Sequence, residues 1–221
     1  DYFDAMTQVI HEHCGTVDKY IGDGIMAFWN APLPDANHAR RGIDAAVAMQ
    51  RRFETLSAKY ASSDRPPLAM RIGVHSGPAV VGNVGSSLRF TYTAVGDTVN
   101  LAARLEGANK RYGTSILISE ATVLRAQAQA AMRPVDAVTV QGKREVVQLF
   151  TPCDDAVLIE RTRTALDAYR DRRFDDSAAL WQSILLDRPG DPVAATFVAR
   201  LASLRVSSPA SWTAVTALDK G

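Results

Sequence analysis

The chain has 221 residues, 47% of them hydrophobic and 22% charged, which excludes a disordered or fibrous protein and allows either one sizeable domain or one domain plus a smaller appendage. Its 25 basic and 24 acidic residues nearly cancel, so the overall charge does not predict nucleic acid or an anionic membrane as a partner. The 2 cysteines lack a CxxC or His-rich context. They predict neither a disulfide framework nor a zinc site, and they favour a reducing, cytoplasmic compartment.

The chain begins at Asp1 inside a helical pattern, with no methionine and no helix-capping residues before it. We therefore expect a longer protein, in which the first strand of the domain precedes this sequence. No run in the chain reaches the roughly 18 apolar residues that a membrane-spanning helix needs. Any membrane tether is thus expected in the preceding part.

The first 60 residues predict two helices with a hairpin between them. Apolar spacing predicts a helix from about Tyr2 to His13, ending where Gly15 can supply a left-handed cap. The strands TVDKYI and GIMAFW follow, joined at Gly-Asp-Gly, whose residues tolerate the positive φ of a tight turn. After a loop, a long helix is predicted from about His38 to Tyr60.

The next part, up to Phe150, alternates strands, hairpins and helices. Its strand candidates are PLAMRIGVHSG, PAVVGNVG, LRFTYTAV and SILI, each bounded by turn residues. A helix is predicted from Asp97 to Arg111, and a shorter one begins at Ser119, whose hydroxyl can cap it. VDAVTV and EVVQLF predict a last hairpin around residues 141–144. The fold class is therefore α+β, a ferredoxin-like mixed sheet with helices on one face.

The pattern changes after residues 1–152, the predicted first domain. Residues 155–205 show only helical signals and predict a small C-terminal α-helical appendage, a helical hairpin with tetratricopeptide-like offsets. The residues at those offsets are Ala165, Phe174, Trp181 and Pro189. One such unit cannot bury its apolar face alone, so we expect it to pack on the first domain or on a second protomer. Residues 206–221 are expected to form a tail, either a docking segment or disordered.

The segment RFTYTAVGDTVNLAARLE, residues 89–106, places polar groups at the start of a predicted helix. A glycine turn precedes Asp97, which can cap the helix, and Asn100 and Arg104 then lie four residues apart on one face. A helix N-terminus with an arginine and an asparagine on one side can bind a phosphate and a sugar hydroxyl. The alternative is a solvated surface arginine and a local capping asparagine.

The hairpin VDKYIGDGIMAFW places Asp23 between Gly22 and Gly24. The glycines leave the backbone open on both sides, so a cation or phosphate could approach closely. Magnesium favours carboxylate oxygens and shares its other positions with substrate phosphates. The alternative is that Asp-Gly is ordinary hairpin-turn chemistry.

The order of these motifs resembles the class III nucleotidyl cyclase catalytic domain. Lys19 is followed four residues later by Asp23, then by GVHSGPAVVGNVG, YTAVGDTVNLAARLE and QGK. The match covers roughly Asp1 to Phe150, and VGDTVNLAARLE is highly specific to the family. The resemblance implies attack of the ribose 3′-hydroxyl on the α-phosphate of a nucleoside triphosphate, with release of pyrophosphate. It therefore implies a phosphorus-oxygen lyase.

The resemblance also implies roles for five side chains. Lys19 matches the position that hydrogen-bonds the adenine ring in adenylyl cyclases, and Thr93 matches its partner, so ATP is the expected substrate and cyclic AMP the product. Asn100 is expected to position the ribose, and Arg104 to stabilise charge that develops on the α-phosphate. Lys143 matches the lysine that holds the terminal phosphates.

The family's cofactors are two Mg²⁺ or Mn²⁺ ions held between two aspartates. Asp23 matches one of them, and the other is expected upstream of Asp1. With only one of the two aspartates, this fragment is expected to bind metal weakly and to be inactive by itself. His75, in the segment GVHSG, is expected to be structural because the family assigns it no proton transfer.

Sites of this family form between two protomers, so a homodimer is expected. Trp29, Phe28 and Met26 are expected to serve packing or the dimer face. Two alternatives to an adenylyl cyclase stay open. One is a guanylyl cyclase, and the other is a non-catalytic regulatory module that keeps the fold and acts through dimerisation.

Overall fold

The computed structural model describes residues 1–60, 68–86, 88–140, 145–206 and 212–218. The helices are α1 (Tyr2–Glu12), α2 (His38–Tyr60), α3 (Asp97–Tyr112), α4 (Glu120–Arg125), α5 (Ala156–Arg170), α6 (Phe174–Asp187) and α7 (Pro192–Val206). The strands are β1 (Thr16–Ile21), β2 (Gly24–Phe28), β3 (Ile72–Val74), β4 (Val80–Ser86), β5 (Arg89–Val95), β6 (Ile116–Ser119), β7 (Met132–Val140), β8 (Val146–Pro152) and β9 (Thr216–Leu218). The described helices include none long and apolar enough to cross a lipid bilayer.

The strands form one central sheet and two hairpins. The central sheet is mixed, with the order β3-β6-β8-β7-β9, and β1-β2 and β4-β5 are separate antiparallel pairs. This confirms the α+β mixed sheet and the C-terminal helical appendage. Two predicted hairpins, one around Gly-Asp-Gly and one around residues 141–144, are also confirmed, because the strands on either side of each pair in the antiparallel direction.

Helices pack on both faces of the central sheet, rather than on one face as predicted. Along β6, Ile116 and Ile118 point to one face and join the core formed with α2 and α4. Leu117 points to the other face and joins the core formed with α3 and the appendage helices. This division follows from the alternation of side chains along a strand.

Two predicted helix caps differ from those observed. At the end of α1 the left-handed residue is Cys14, at φ 59°, rather than Gly15. Gly15 is needed for space, because a Cβ there would lie 2.7 Å from Ile10 and from Trp29. At the start of α3 the cap is Gly96, at φ 144°, and Asp97 is already the first helical residue.

The appendage has three helices, so α7 follows the predicted hairpin of α5 and α6. It packs on the first domain, as expected, with Trp181 and Phe197 fully buried in the same cluster as Val135 and Leu149. A buried ion pair reinforces this contact, since Arg133 of β7 donates to both carboxylate oxygens of Asp191 at 2.5 and 3.0 Å. The likeness to a tetratricopeptide unit stays a prediction.

Part of the predicted tail is ordered on the domain. Strand β9 pairs in parallel with β7, and Trp212 packs edge-on against Tyr169 and Phe174 at ring-centroid distances of 5.1 and 5.0 Å. The described part of the tail is therefore a further edge of the sheet, which closes over the appendage core.

A glycine lets α3 lie directly against the central sheet. At Gly73 of β3, a Cβ would lie 2.2 Å from the carbonyl oxygen of Ala102 and 2.4 Å from the amide nitrogen of Glu106. Both are backbone atoms of α3, so a side chain at this position can be accommodated only if the helix moves.

Substituting Gly73→Ala is therefore expected to lower the free energy of unfolding by roughly 1–3 kcal/mol, measured by urea denaturation. Gly107→Ala is the matched control within α3, since a Cβ at Gly107 meets nothing within 4 Å. Alanine is favoured over glycine inside a helix by about 1 kcal/mol, so this control should stabilise the protein. Destabilisation of similar size in both variants would contradict the close approach of α3.

Candidate active site

Asp23 lies exposed at the tip of the β1-β2 hairpin. Ile21 pairs with Gly24, and Gly22 takes the left-handed φ of 61° that the tight turn requires. The pKa of the Tyr2 hydroxyl is raised, first by burial and then by the negative charge of Asp23. The Asp23 carboxylate thus interacts electrostatically with Tyr2, at the start of α1. Asp23 is available to a ligand from solvent.

The described residues do not complete a metal centre around this carboxylate. Among them, no three His, Cys, Asp or Glu side chains converge in a way that could hold a metal ion. One exposed carboxylate offers too few oxygen ligands for two divalent ions, which need several each. The donor set present here therefore does not fit the expected two-ion site by itself.

Lys19 and Thr93 are brought together by a third residue, Asp18. The Thr93 hydroxyl donates to Oδ2 of Asp18 at 2.7 Å, and the Ala94 amide donates to the same oxygen at 2.9 Å. The Lys19 ammonium lies 3.3 Å from Oδ1 of Asp18. The Asp18 side chain is 0% exposed, whereas that of Lys19 is 42% exposed. Thr93 is 5% exposed, so a ligand could reach only a small part of it.

A β-bulge explains how two neighbouring strand residues serve one site. Val17 pairs with Ala27 and Lys19 pairs with Met26, so Asp18 is the extra residue in the register of β1 and β2. Bulges locally break the ladder and re-aim side chains. Here the bulge residue turns its carboxylate inward to β5, which fastens β1 to β5.

The N-terminal part of α3 carries the other candidate groups. Asn100 is exposed and Arg104 is partly buried, and four residues place them on one face, about 6 Å apart along the helix axis. The N-cap residue Gly96 has no side chain to cap this helix end, and its carbonyl accepts from the amides of Val99 at 3.1 Å and Asn100 at 3.5 Å. The positive end of the helix dipole favours an anion at this position. The arrangement suits a phosphate.

His75 belongs to a hydrogen-bonded chain at the ends of β3 and β6. Its Nδ1 lies 2.7 Å from the Ser119 hydroxyl, which lies 3.2 Å from the Thr122 hydroxyl, and Thr122 donates to Ser76 at 3.0 Å. Ser119 thus binds His75 rather than capping α4. These contacts support the structural role predicted for His75. Lys143 lies outside the described residues.

Residues 1–151 match the family of adenylate and guanylate cyclase catalytic domains. The chain belongs to this family. The resemblance drawn from VGDTVNLAARLE and the hairpin is therefore confirmed at the level of the catalytic domain.

Individual relatives include both kinds of cyclase. The chain is 40% identical over 150 residues to adenylate cyclase 1 of Rhizobium meliloti (strain 1021). The matched region covers 68% of this chain and 23% of that protein. Its fold is similar to the guanylyl cyclase Cya2, at 33% identity and a TM-score of 0.61, covering 67% of this chain and 75% of that one. It is also similar to the adenylyl cyclase CyaB from P. aeruginosa, at 28% identity and a TM-score of 0.61, covering 70% and 79%.

The β4-β5 hairpin of this cyclase domain presents an apolar surface to solvent. Phe90 is 66% exposed and Leu88 is 96% exposed. The other large apolar side chains exposed on the hairpin are Val80, Val84, Tyr92 and Val95. The pairing of β4 with β5 places Val80, Val84 and Val95 on one face of the hairpin and Phe90 and Tyr92 on the other. Exposed apolar groups in this number are typical of surfaces that contact other proteins.

Sequence reasoning missed Asp18. An aspartate inside a strand is uncommon, and this one stands directly before the candidate lysine, which is the signal that could have drawn attention to it. The Asp18 side chain points inward because of the bulge, however, and no residue of TVDKYI predicts a bulge.

Proposed function

We propose that the chain is the catalytic domain of an adenylyl cyclase, which converts ATP into 3′,5′-cyclic AMP and pyrophosphate. The observation that carries this proposal is the pairing of Lys19 and Thr93 around Asp18. A lysine can donate to the N1 acceptor of adenine, whereas guanine presents a donor there. A hydroxyl oxygen can accept from the adenine amino group.

The groups on α3 would act on the sugar and phosphates. Asn100 would hold the ribose so that its 3′-hydroxyl faces the α-phosphate. Arg104 would bind the α-phosphate oxygens with its planar guanidinium, which remains charged and matches two oxygens at once. The start of α3 adds the positive end of the helix dipole. Lys143 is proposed for the terminal phosphates.

We further propose Asp23 as one ligand of Mg²⁺ or Mn²⁺. Phosphate oxygens, water or residues outside the described ranges would have to supply the other ligands. The proposed assembly is a homodimer with sites at its interface, and the exposed apolar β4-β5 hairpin supports such a contact.

A guanylyl cyclase is the second candidate, because the solved guanylyl cyclase Cya2 is 33% identical. The test compares kcat/KM for ATP and GTP in the full-length protein with Mn²⁺. Preferred conversion of ATP supports the proposal, and preferred conversion of GTP replaces it by the second candidate. Conversion of neither would favour the non-catalytic module.

Lys19→Glu is expected to reduce the ATP-to-GTP ratio of kcat/KM by on the order of tenfold or more, because a carboxylate cannot donate to adenine N1 but can accept from guanine. Both ratios are measured on the full-length protein. Lys59→Glu is the matched control, because it makes the same change of charge at the exposed C-terminal end of α2, distant in sequence from Lys19. An unchanged ratio in Lys19→Glu would remove base recognition from this residue.

A further inference from the structure

Asp18 is a buried carboxylate between the two proposed base-recognition side chains, yet the proposed reaction gives it no role. Its side chain is 0% exposed. Its Oδ2 accepts two hydrogen bonds, while Oδ1 accepts none from any described residue and faces the Lys19 ammonium at 3.3 Å. Burying a charged group is costly unless it is paired, so a plain strand position would not favour aspartate.

The contact with Asp18 fixes the direction of the Thr93 hydroxyl. A hydroxyl has one proton and two lone pairs, and an ionised carboxylate only accepts. At 2.7 Å from Oδ2, Thr93 must therefore be the donor. The alternative acceptor for this proton, the carbonyl oxygen of Ala94, lies farther away, at 3.5 Å. With its proton held by Asp18, Thr93 can offer only lone pairs to a ligand.

Asp18 also determines what stands beside that acceptor. The Lys19 ammonium has three protons and no lone pair, and its place next to Oδ1 keeps it on the same side of the hairpin as Thr93. The pair therefore presents one donor and one acceptor. Adenine carries an acceptor at N1 and a donor amino group at C6, whereas guanine carries a donor at N1 and an acceptor oxygen at C6.

We propose that Asp18 is a positioning residue that makes the site selective for adenine, by holding the Thr93 hydroxyl as an obligate acceptor and Lys19 beside it. This inference rests on the proposed function, because it assumes that Lys19 and Thr93 bind the base. A threonine without Asp18 could turn its hydroxyl and donate to the C6 oxygen of guanine. Asp18 removes that option.

The test measures kcat and KM for ATP and GTP in the full-length protein carrying Asp18→Ala, Asp18→Asn or Thr93→Val. Asp18→Ala is expected to lower the ATP-to-GTP ratio of kcat/KM on the order of tenfold, because the freed hydroxyl then serves both bases. Asp18→Asn should keep the ratio within about threefold of the wild type, since its amide oxygen still accepts the Thr93 proton. In a Thr93→Val background, Asp18→Ala should change the ratio by less than about threefold.

Three results would overturn the inference. If Asp18→Ala lowers kcat/KM equally for ATP and GTP while Thr93→Val lowers the ratio, Asp18 only supports the strand, and base recognition by Thr93 stands. If Asp18→Ala fails to fold, as judged by circular dichroism, Asp18→Leu replaces it as the variant without an acceptor, and an unchanged ratio there, or a tenfold fall in Asp18→Asn, overturns the role. If neither Thr93→Val nor Lys19→Glu changes the ratio, or the wild type does not prefer ATP, the proposed function fails first.

Discussion

Arg104→Ala is expected to lower kcat of the full-length protein on the order of a hundredfold or more, while KM for ATP changes only a few-fold. The reason is that the guanidinium would meet charge that grows on the α-phosphate only as the reaction proceeds. Arg104 lies on α3 and is partly buried, which restricts the freedom of its side chain before substrate arrives. Steady-state kinetics with ATP would measure both constants.

Lys110→Ala is the matched control, since it removes an exposed positive charge from the last turn of the same helix. It should leave both constants near their wild-type values. If Arg104→Ala raised KM as much as it lowered kcat/KM, with kcat unchanged, Arg104 would only anchor the substrate. The role in the transition state would then be wrong.

The strongly patterned elements could be predicted from the sequence. The long apolar stripe of α2 and the glycine-flanked hairpin of β1 and β2 depend on local spacing and turn chemistry, which a sequence displays directly. The grouping of Asn100 and Arg104 on α3 follows equally from helical periodicity. Their chemical roles came from the family resemblance, not from spacing.

Features that depend on distant packing could not be predicted. Cys14 rather than Gly15 takes the left-handed conformation, and Gly15 is instead required because Trp29, which follows β2, lies where a Cβ would be. The pairing of β9 with β7 joins residues far apart along the chain, and a three-residue strand has no periodicity to detect. The role of Asp18 could not be predicted for the same reason, since it depends on a bulge and on a contact with β5.

A buried polar cluster joins the appendage to the helix that carries the candidate phosphate site. Oδ2 of Asp136 accepts hydrogen bonds from Tyr112 at 2.7 Å, from Arg200 at 2.9 Å and from Thr216 at 2.9 Å. Burial, and then the charge of Asp136, raises the pKa of Tyr112 well above its ordinary value, so its hydroxyl stays protonated and donates. One carboxylate thus connects α3, α7 and β9 to β7.

Asp136→Ala is therefore expected to lower the free energy of unfolding by about 3–5 kcal/mol in urea denaturation, because Arg200 would keep a largely buried charge without its partner. Asp136→Asn keeps an acceptor and should lose less.

The matched control is Asp167→Ala, which removes an exposed i,i+3 partner of Arg170 on α5 and should change stability by less than about 0.5 kcal/mol. Hydrogen exchange of Asp136→Ala then identifies which helices and strands lose stability. Because the appendage and the sheet share one apolar cluster, exchange should accelerate in α3 and β7 as well as in α7 and β9. Acceleration confined to α7 and β9 would instead mean that the appendage opens independently of α3 and the sheet.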